Sequence, residues 1–151
     1  MNRGFTLVET LVYIALLGLI MGGVLMASYN LLEGAGKVSS SAMIQEEGNF
    51  VLRKINWALT NVQSINNPLS GYANSLSITK FDGTQIDIRL NTTNRSIEMR
   101  QVGVSQFAST TTSNVQVSAL QFHHISGIPA GIEASTTING TVFYIKKYLR
   151  K

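Results

Sequence analysis

Gly4-Phe5-Thr6-Leu7-Val8-Glu9 leads into Thr10-Leu11-Val12-Tyr13-Ile14-Ala15-Leu16-Leu17-Gly18-Leu19-Ile20, and no charge appears again until Glu33. The 23 residues from Thr10 to Leu32 include 17 apolar ones. As a helix rising 1.5 Å per residue, that run covers about 35 Å, enough for a bilayer core of about 30 Å. The core helix of a small domain needs one apolar stripe and has no use for a surface apolar all round. Arg3 and the starting amine lie before the run, Glu33 and Lys37 after it. The positive-inside rule then places the N-terminus in the cytoplasm and the rest outside.

An ordinary secretory signal is the competing reading. Its apolar stretch is shorter, and a small-residue cleavage site follows it. Here the nearest approach to such a site is Met26-Ala27-Ser28, a poor match. Glu9 interrupts the apolar pattern among Phe5, Leu7, Val8, Leu11 and Val12. A carboxylate at the edge of a membrane segment is costly to bury, so it either marks the boundary or has a partner.

The rest of the composition narrows the function. The chain has 151 residues, one domain's worth, with 12 basic and 8 acidic residues and a net charge of +4. Charged residues make up 13% and hydrophobic ones 44%, which excludes a charged disordered chain and a strongly basic nucleic-acid arm. There is no cysteine, hence no disulfide framework, thiolate metal site or Cys nucleophile. Two histidines and eight carboxylates leave little material for a catalytic site, so no catalytic residues and no cofactor are expected.

Gly4-Phe5-Thr6-Leu7-Val8-Glu9, followed at once by the long apolar run, resembles the type IV prepilin signal. Type IV pilins, the pseudopilins of type II secretion systems and competence pseudopilins share that signal. The resemblance implies that a membrane prepilin peptidase cuts after Gly4 and methylates the new amine of Phe5. It implies a leader at 1–4, a transmembrane helix at 5–32 and an amphipathic helical stem at 33–65. An antiparallel β head at 66–151 completes an α+β, pilin-like fold, with the long helix packed on a small sheet. Other pilin or pseudopilin subunits and an inner-membrane assembly platform become the expected partners, with membrane lipid before assembly. The implied location is the bacterial inner membrane, then an extracytoplasmic filament or the cell surface. Glu9 would meet the N-terminal amine of a neighbouring subunit, since a carboxylate and an amine are each expensive in a dry core and tolerable as a pair.

Gly18-x-x-x-Gly22 is a spacing that lets membrane helices approach closely. Many major pilins carry a proline in this stretch; here none precedes Pro68. The stem pattern Asn49-Phe50-Val51-Leu52-Arg53-Lys54-Ile55 and a late strand pair resemble the minor pseudopilins of the J and PilW-like type.

Beyond the run, Gly34, Gly36 and Ser39-Ser40-Ser41 suggest a membrane-exit hinge. Ile44, Val51, Ile55, Ala58, Val62 and Ile65 then fall on one helical stripe, predicting a helix over about 38–65 with a soft spot at Gly48. Trp57 falls off the stripe, at the rim of the head. Strands follow around 75–80, 85–90 and 97–101, joined by an Asp82-Gly83 turn and by Asn91-Thr92-Thr93-Asn94. Residues 108–114 read as an exposed loop, 115–125 as a strand, and 141–149 as a last strand apolar on both faces.

Other constellations are weak. His123 and His124 are strand neighbours pointing to opposite faces, so they suit a surface or sheet edge better than a metal site. Asp82 and Asp87 lack the ligand-dense spacing of a calcium loop. Asn91-Thr92-Thr93, Asn94-Arg95-Ser96 and Asn139-Gly140-Thr141 match a short, frequent glycosylation pattern. The C-terminus, Lys146-Lys147-Tyr148-Leu149-Arg150-Lys151, holds four of the basic residues, but a solvated basic end explains it and nucleic acid is not the expected partner. The reading is therefore a structural filament subunit, a minor pilin or pseudopilin that primes or caps assembly. A major pilin, or an unprocessed single-pass anchored binding module, is the alternative.

Overall fold

The computed structural model describes residues 6–103 and 106–149. It divides into two compact units, Met1–Ala42 and Met43–Lys151. A single helix, α1 (Leu7–Ala58), supplies all the regular structure of the first and the opening element of the second. Among the described residues nine strands follow: β1 (Val62–Asn67), β2 (Gly71–Ala73), β3 (Ser75–Lys80), β4 (Gln85–Asn91), β5 (Ser96–Gln101), β6 (Ala108–Ser109), β7 (Val117–Ile125), β8 (Gly131–Ile138) and β9 (Thr141–Tyr148). All pairings are antiparallel. This is the α+β, pilin-like layout expected from the sequence, a long N-terminal apolar helix followed by antiparallel sheets.

In the first unit every residue from Thr6 to Ala42 is exposed. The helix runs through Gly34, Gly36 and the serine triplet without a break, so the expected hinge is absent. A Glu33–Lys37 ion pair of 2.7 Å, four residues apart, braces the helix there.

In the second unit the strands form two sheets where one was expected: β1-β3-β4-β5-β6 and β2-β7-β8-β9. The helix buries Val51, Ile55 and Ala58 in a common core with Leu76, Ile78, Ile86, Ile88 and Ile97 of the first sheet and Phe122, Ile132, Ala134 and Ile138 of the second. Gly48 is no soft spot. A Cβ built on it would run into the ring of Phe143, so the glycine is what lets the helix approach β9.

The stem helix ends at Ala58, seven residues before the expected Ile65, and the β head accordingly starts at Val62. Asn61 takes a left-handed backbone conformation (φ 60°) that a helix cannot propagate. Val62 and Ile65 belong to β1, where β-branched side chains fit best. The last turn of α1 holds no basic residue, and two strand lysines compensate its carbonyl end. Lys147 Nζ donates to Asn56 O at 2.9 Å and Thr60 Oγ1 at 2.7 Å, and Lys80 Nζ reaches Trp57 O at 3.4 Å.

The β3–β4–β5 meander matches its pattern. Leu76, Ile78, Ile86, Ile88 and Ile97 point inward, with Gly83 left-handed (φ 81°) in the hairpin as its Asp-Gly signal requires. Two expectations change. Residues 108–114 are not simply an exposed loop: β6 pairs with β5, and Thr111 is buried with its hydroxyl accepting from Ile97 N at 3.1 Å. β7 is an interior strand, so its histidines do not lie at a sheet edge. β9 is apolar on both faces, as expected, and one of them is covered: Phe143 and Ile145 turn inward while Val142 and Tyr144 are exposed.

Strand β8 carries no sequence signal strong enough to single it out. Its inward residues, Ile132, Ala134, Thr136 and Ile138, include two small or polar ones. The missed clue is Asn139-Gly140, both at positive φ, which close the two-residue β8–β9 hairpin.

Candidate functional site

Gly4 and Phe5, the residues of the expected cleavage and methylation, lie outside the described residues. The described site begins at Thr6, which caps the helix: its Oγ1 accepts from Glu9 N at 3.3 Å. Thr6-Leu7-Val8-Glu9 has the Ser/Thr-x-x-Glu spacing of a capping box, a helix-start signal that sequence reading overlooked although its letters were present; the threonine half of it is formed here, through the Glu9 backbone N–H. The position also suits the charge, because a carboxylate in the first turn faces the positive end of the helix dipole. Glu9 Oε1 accepts from the Tyr13 hydroxyl at 3.4 Å and is otherwise open to solvent.

From Leu7 to Leu32 the helix offers exposed apolar side chains on every side, among them Leu7, Leu19, Leu25 and Leu31. At Gly18 and Gly22 a built Cβ meets nothing within 4 Å, so within one chain neither glycine is required by a neighbour. α1 is long and apolar enough to cross a membrane. Such a surface is stable only when lipid or other apolar side chains cover it.

Among the described residues the head offers no comparable chemistry. Asp87 accepts from Ser77 Oγ at 2.8 Å and Arg100 at 2.7 Å on the outer face of the first sheet. Burial pushes its carboxyl up, but the hydrogen bonds from Arg100, Ser77 and Gln85 outweigh this and hold it below the usual carboxylate range. Arg89 pairs with Glu98 at 3.1 Å, and the Arg89 and Arg100 guanidinium groups both lie against the Phe107 ring, 3.7 and 4.5 Å from its centre. Asp82 is held below its ordinary range by the Thr84 backbone N–H that closes its turn. Both aspartates are thereby committed to structure.

His123 stacks on Tyr72 at 4.2 Å and lies 3.8 Å from Glu133, while His124 turns to the other side of the strand. Among the described residues no group of three or more His, Asp or Glu comes together. Lys147 serves the helix end, and a hydrogen bond from Lys146 to the neighbouring Tyr148 raises the Lys146 ammonium pKa. Arg150 and Lys151 lie outside the described residues.

Comparison with known proteins gives one match. Residues 1–25 fit the model of the prokaryotic N-terminal methylation motif. That match supports a type IV pilin-like prepilin signal at the start of the chain. No curated protein and no solved structure matches the chain.

Proposed function

We propose that this chain is a structural subunit of a type IV pilin-like filament, made as a precursor and anchored in the inner membrane by α1 with a cytoplasmic N-terminus. Prepilin peptidase cuts after Gly4 and methylates Phe5. The processed chain passes from lipid into the filament, where neighbouring helices replace the lipid around it. One observation carries the reading: behind a methylation motif, every described residue of the first unit is exposed along an apolar helix that no other described residue covers. The role is structural, and the chain is the substrate of two chemical steps.

Glu9 completes the reading. Its solvent-open carboxylate stands where the amine of a processed neighbour would neutralise it as both leave water. The proline-free helix favours a minor subunit that primes or caps assembly. A major pilin that repeats along a surface filament is favoured by a different feature, the order of acid then base at Glu46, Glu47, Arg53 and Lys54. Copy number in sheared filaments separates the two.

Intact mass of the membrane-extracted protein tests the whole reading. Loss of residues 1–4 with gain of one methyl group is expected. A full-length chain identifies an unprocessed anchored module instead.

A further inference from the structure

The two sheets of the second unit turn different faces outward. On the first, Asp87 pairs with Arg100 and Arg89 with Glu98 across neighbouring strands, an ordinary charged surface. The second carries tyrosines instead. Strand register sets Tyr72 of β2, His123 of β7, Glu133 of β8 and Lys146 of β9 in one row, with Tyr144 and Tyr148 on either side of it along β9. The three tyrosines are 67%, 68% and 49% exposed, in chain order. Large apolar rings gathered on one open face mark an interaction site.

Two of the rings are seated by their neighbours. Tyr72 stacks on His123, with 4.2 Å between ring centres and 14° between planes, which leaves its other face open. Tyr148 takes the space above Gly131, where a Cβ would come within 3.0 Å of its ring. A strand glycine covered by an aromatic ring from the next strand holds that ring over the sheet. Between the rings, Gln121 and Ser135 continue the row of Tyr144, and Thr137 lies one row further on. The side chains of these three make no hydrogen bond among the described residues. The formal charges of the face, among the described residues, are Glu133 and Lys146, cross-strand neighbours of opposite sign.

These groups decide what the face can hold. Nucleic acid needs net positive charge, and here the charges cancel. A wholly apolar partner would strand the free amide and hydroxyl groups without hydrogen bonds. A sugar satisfies both conditions. Its C–H face packs on an aromatic ring, and its hydroxyls donate to and accept from Gln121, Ser135 and Thr137. Tyr144 and Tyr148 are four residues apart on one strand, about 14 Å, and Tyr72 lies three strand spacings away, also about 14 Å. One sugar covers one ring; a straight chain of several reaches between them.

We infer that the outer face of the second sheet binds an extended, uncharged polysaccharide of β-linked pyranoses, with Tyr72, Tyr144 and Tyr148 as stacking platforms and Gln121 and Ser135 as the hydrogen-bonding groups between them. The site uses nothing of the N-terminal motif or the membrane part of α1, so it stands apart from the filament reading.

The test titrates the full chain, in a detergent without a sugar headgroup, with cellohexaose, xylohexaose and chitohexaose. Maltohexaose, α-linked and coiled, is the contrast. At least one β-linked hexasaccharide is expected to bind with a Kd of about 1 mM or tighter, and about tenfold or more tighter than maltohexaose. Tyr72→Ala and Tyr144→Ala should each weaken that binding by about three- to tenfold with an unchanged melting temperature. Phe81→Ala, which removes an exposed ring from the β3–β4 turn of the other sheet, should leave it unchanged. Absence of binding to all three β-linked probes overturns the inference, and so does equal binding of maltohexaose. Undiminished affinity in both tyrosine variants, or an equal loss in Phe81→Ala, moves the site off this face and overturns it as well.

Discussion

Glu9 carries two demands that a substitution can separate. As the third helical residue it donates its backbone N–H to the Thr6 hydroxyl, and glutamine makes that bond as well as glutamate does. As a charge it can answer an amine, and glutamine cannot. Glu9→Gln is therefore expected to leave helix content and membrane insertion unchanged while impairing incorporation into filaments, scored by sheared-filament yield. Thr6→Ala is expected to do the reverse in kind, weakening the first turn by about 1 kcal/mol, read as amide exchange at Leu7–Thr10, with the charge intact. If Glu9→Gln assembles normally, the amine-pairing role is wrong and the cap is all that Glu9 provides. Asp87 gives the head a different test. Its folded pKa lies below its unfolded one, so its contribution to stability is complete above the unfolded value, about 3.9, and is lost as pH falls through the folded value. Thermal melting of the protein in detergent should stay level from neutral pH down to about 5 and decline below about 4. Asp87→Asn should lower stability at pH 7 by about 1 kcal/mol and flatten that decline.

At the scale of elements, the long helix and the β3–β5 meander were legible because their patterns are long and clean. Leu76, Ile78, Ile86 and Ile88 alternate without exception, and the Asp82-Gly83 turn sits between them. The helix end was not legible, because Ala58, Val62 and Ile65 keep helical spacing after the chain has left the helix; over so short a run periods of two and three to four cannot be told apart. β8 was missed because two of its inward positions are Ala134 and Thr136, which barely raise the apolar alternation. Gly48 was misread for a related reason. Glycine in a helix signals weakness by propensity, and only the fold shows Phe143 occupying the space above it. Gly48→Ala should therefore destabilise the head by about 1–3 kcal/mol through overpacking, although alanine is the better helix former by about 1 kcal/mol. Pairing it with Phe143→Leu should recover part of the loss. A rise in melting temperature for Gly48→Ala alone would show that the ring moves aside freely.

At the scale of the molecule, the two units differ in what covers them, and the methylation motif at the N-terminus was legible because such signals are read from linear sequence. What the sequence could not disclose is which parts of the second unit are complete in themselves. Its buried core lies wholly within residues 43–151, so that fragment should fold and stay soluble without α1's membrane part. On α1 the acids Glu46 and Glu47 precede the bases Arg53 and Lys54, an order that suits an antiparallel pair of such fragments: Glu46 would face Arg53, Glu47 would face Lys54, and the part-exposed Phe50 would face its own counterpart across a two-fold axis. The fragment is thus expected to dimerise weakly, and the dimer should dissociate as ionic strength rises because exposed charges carry part of its energy. Sedimentation at low and high salt measures this, and Phe50→Cys should crosslink in the fragment.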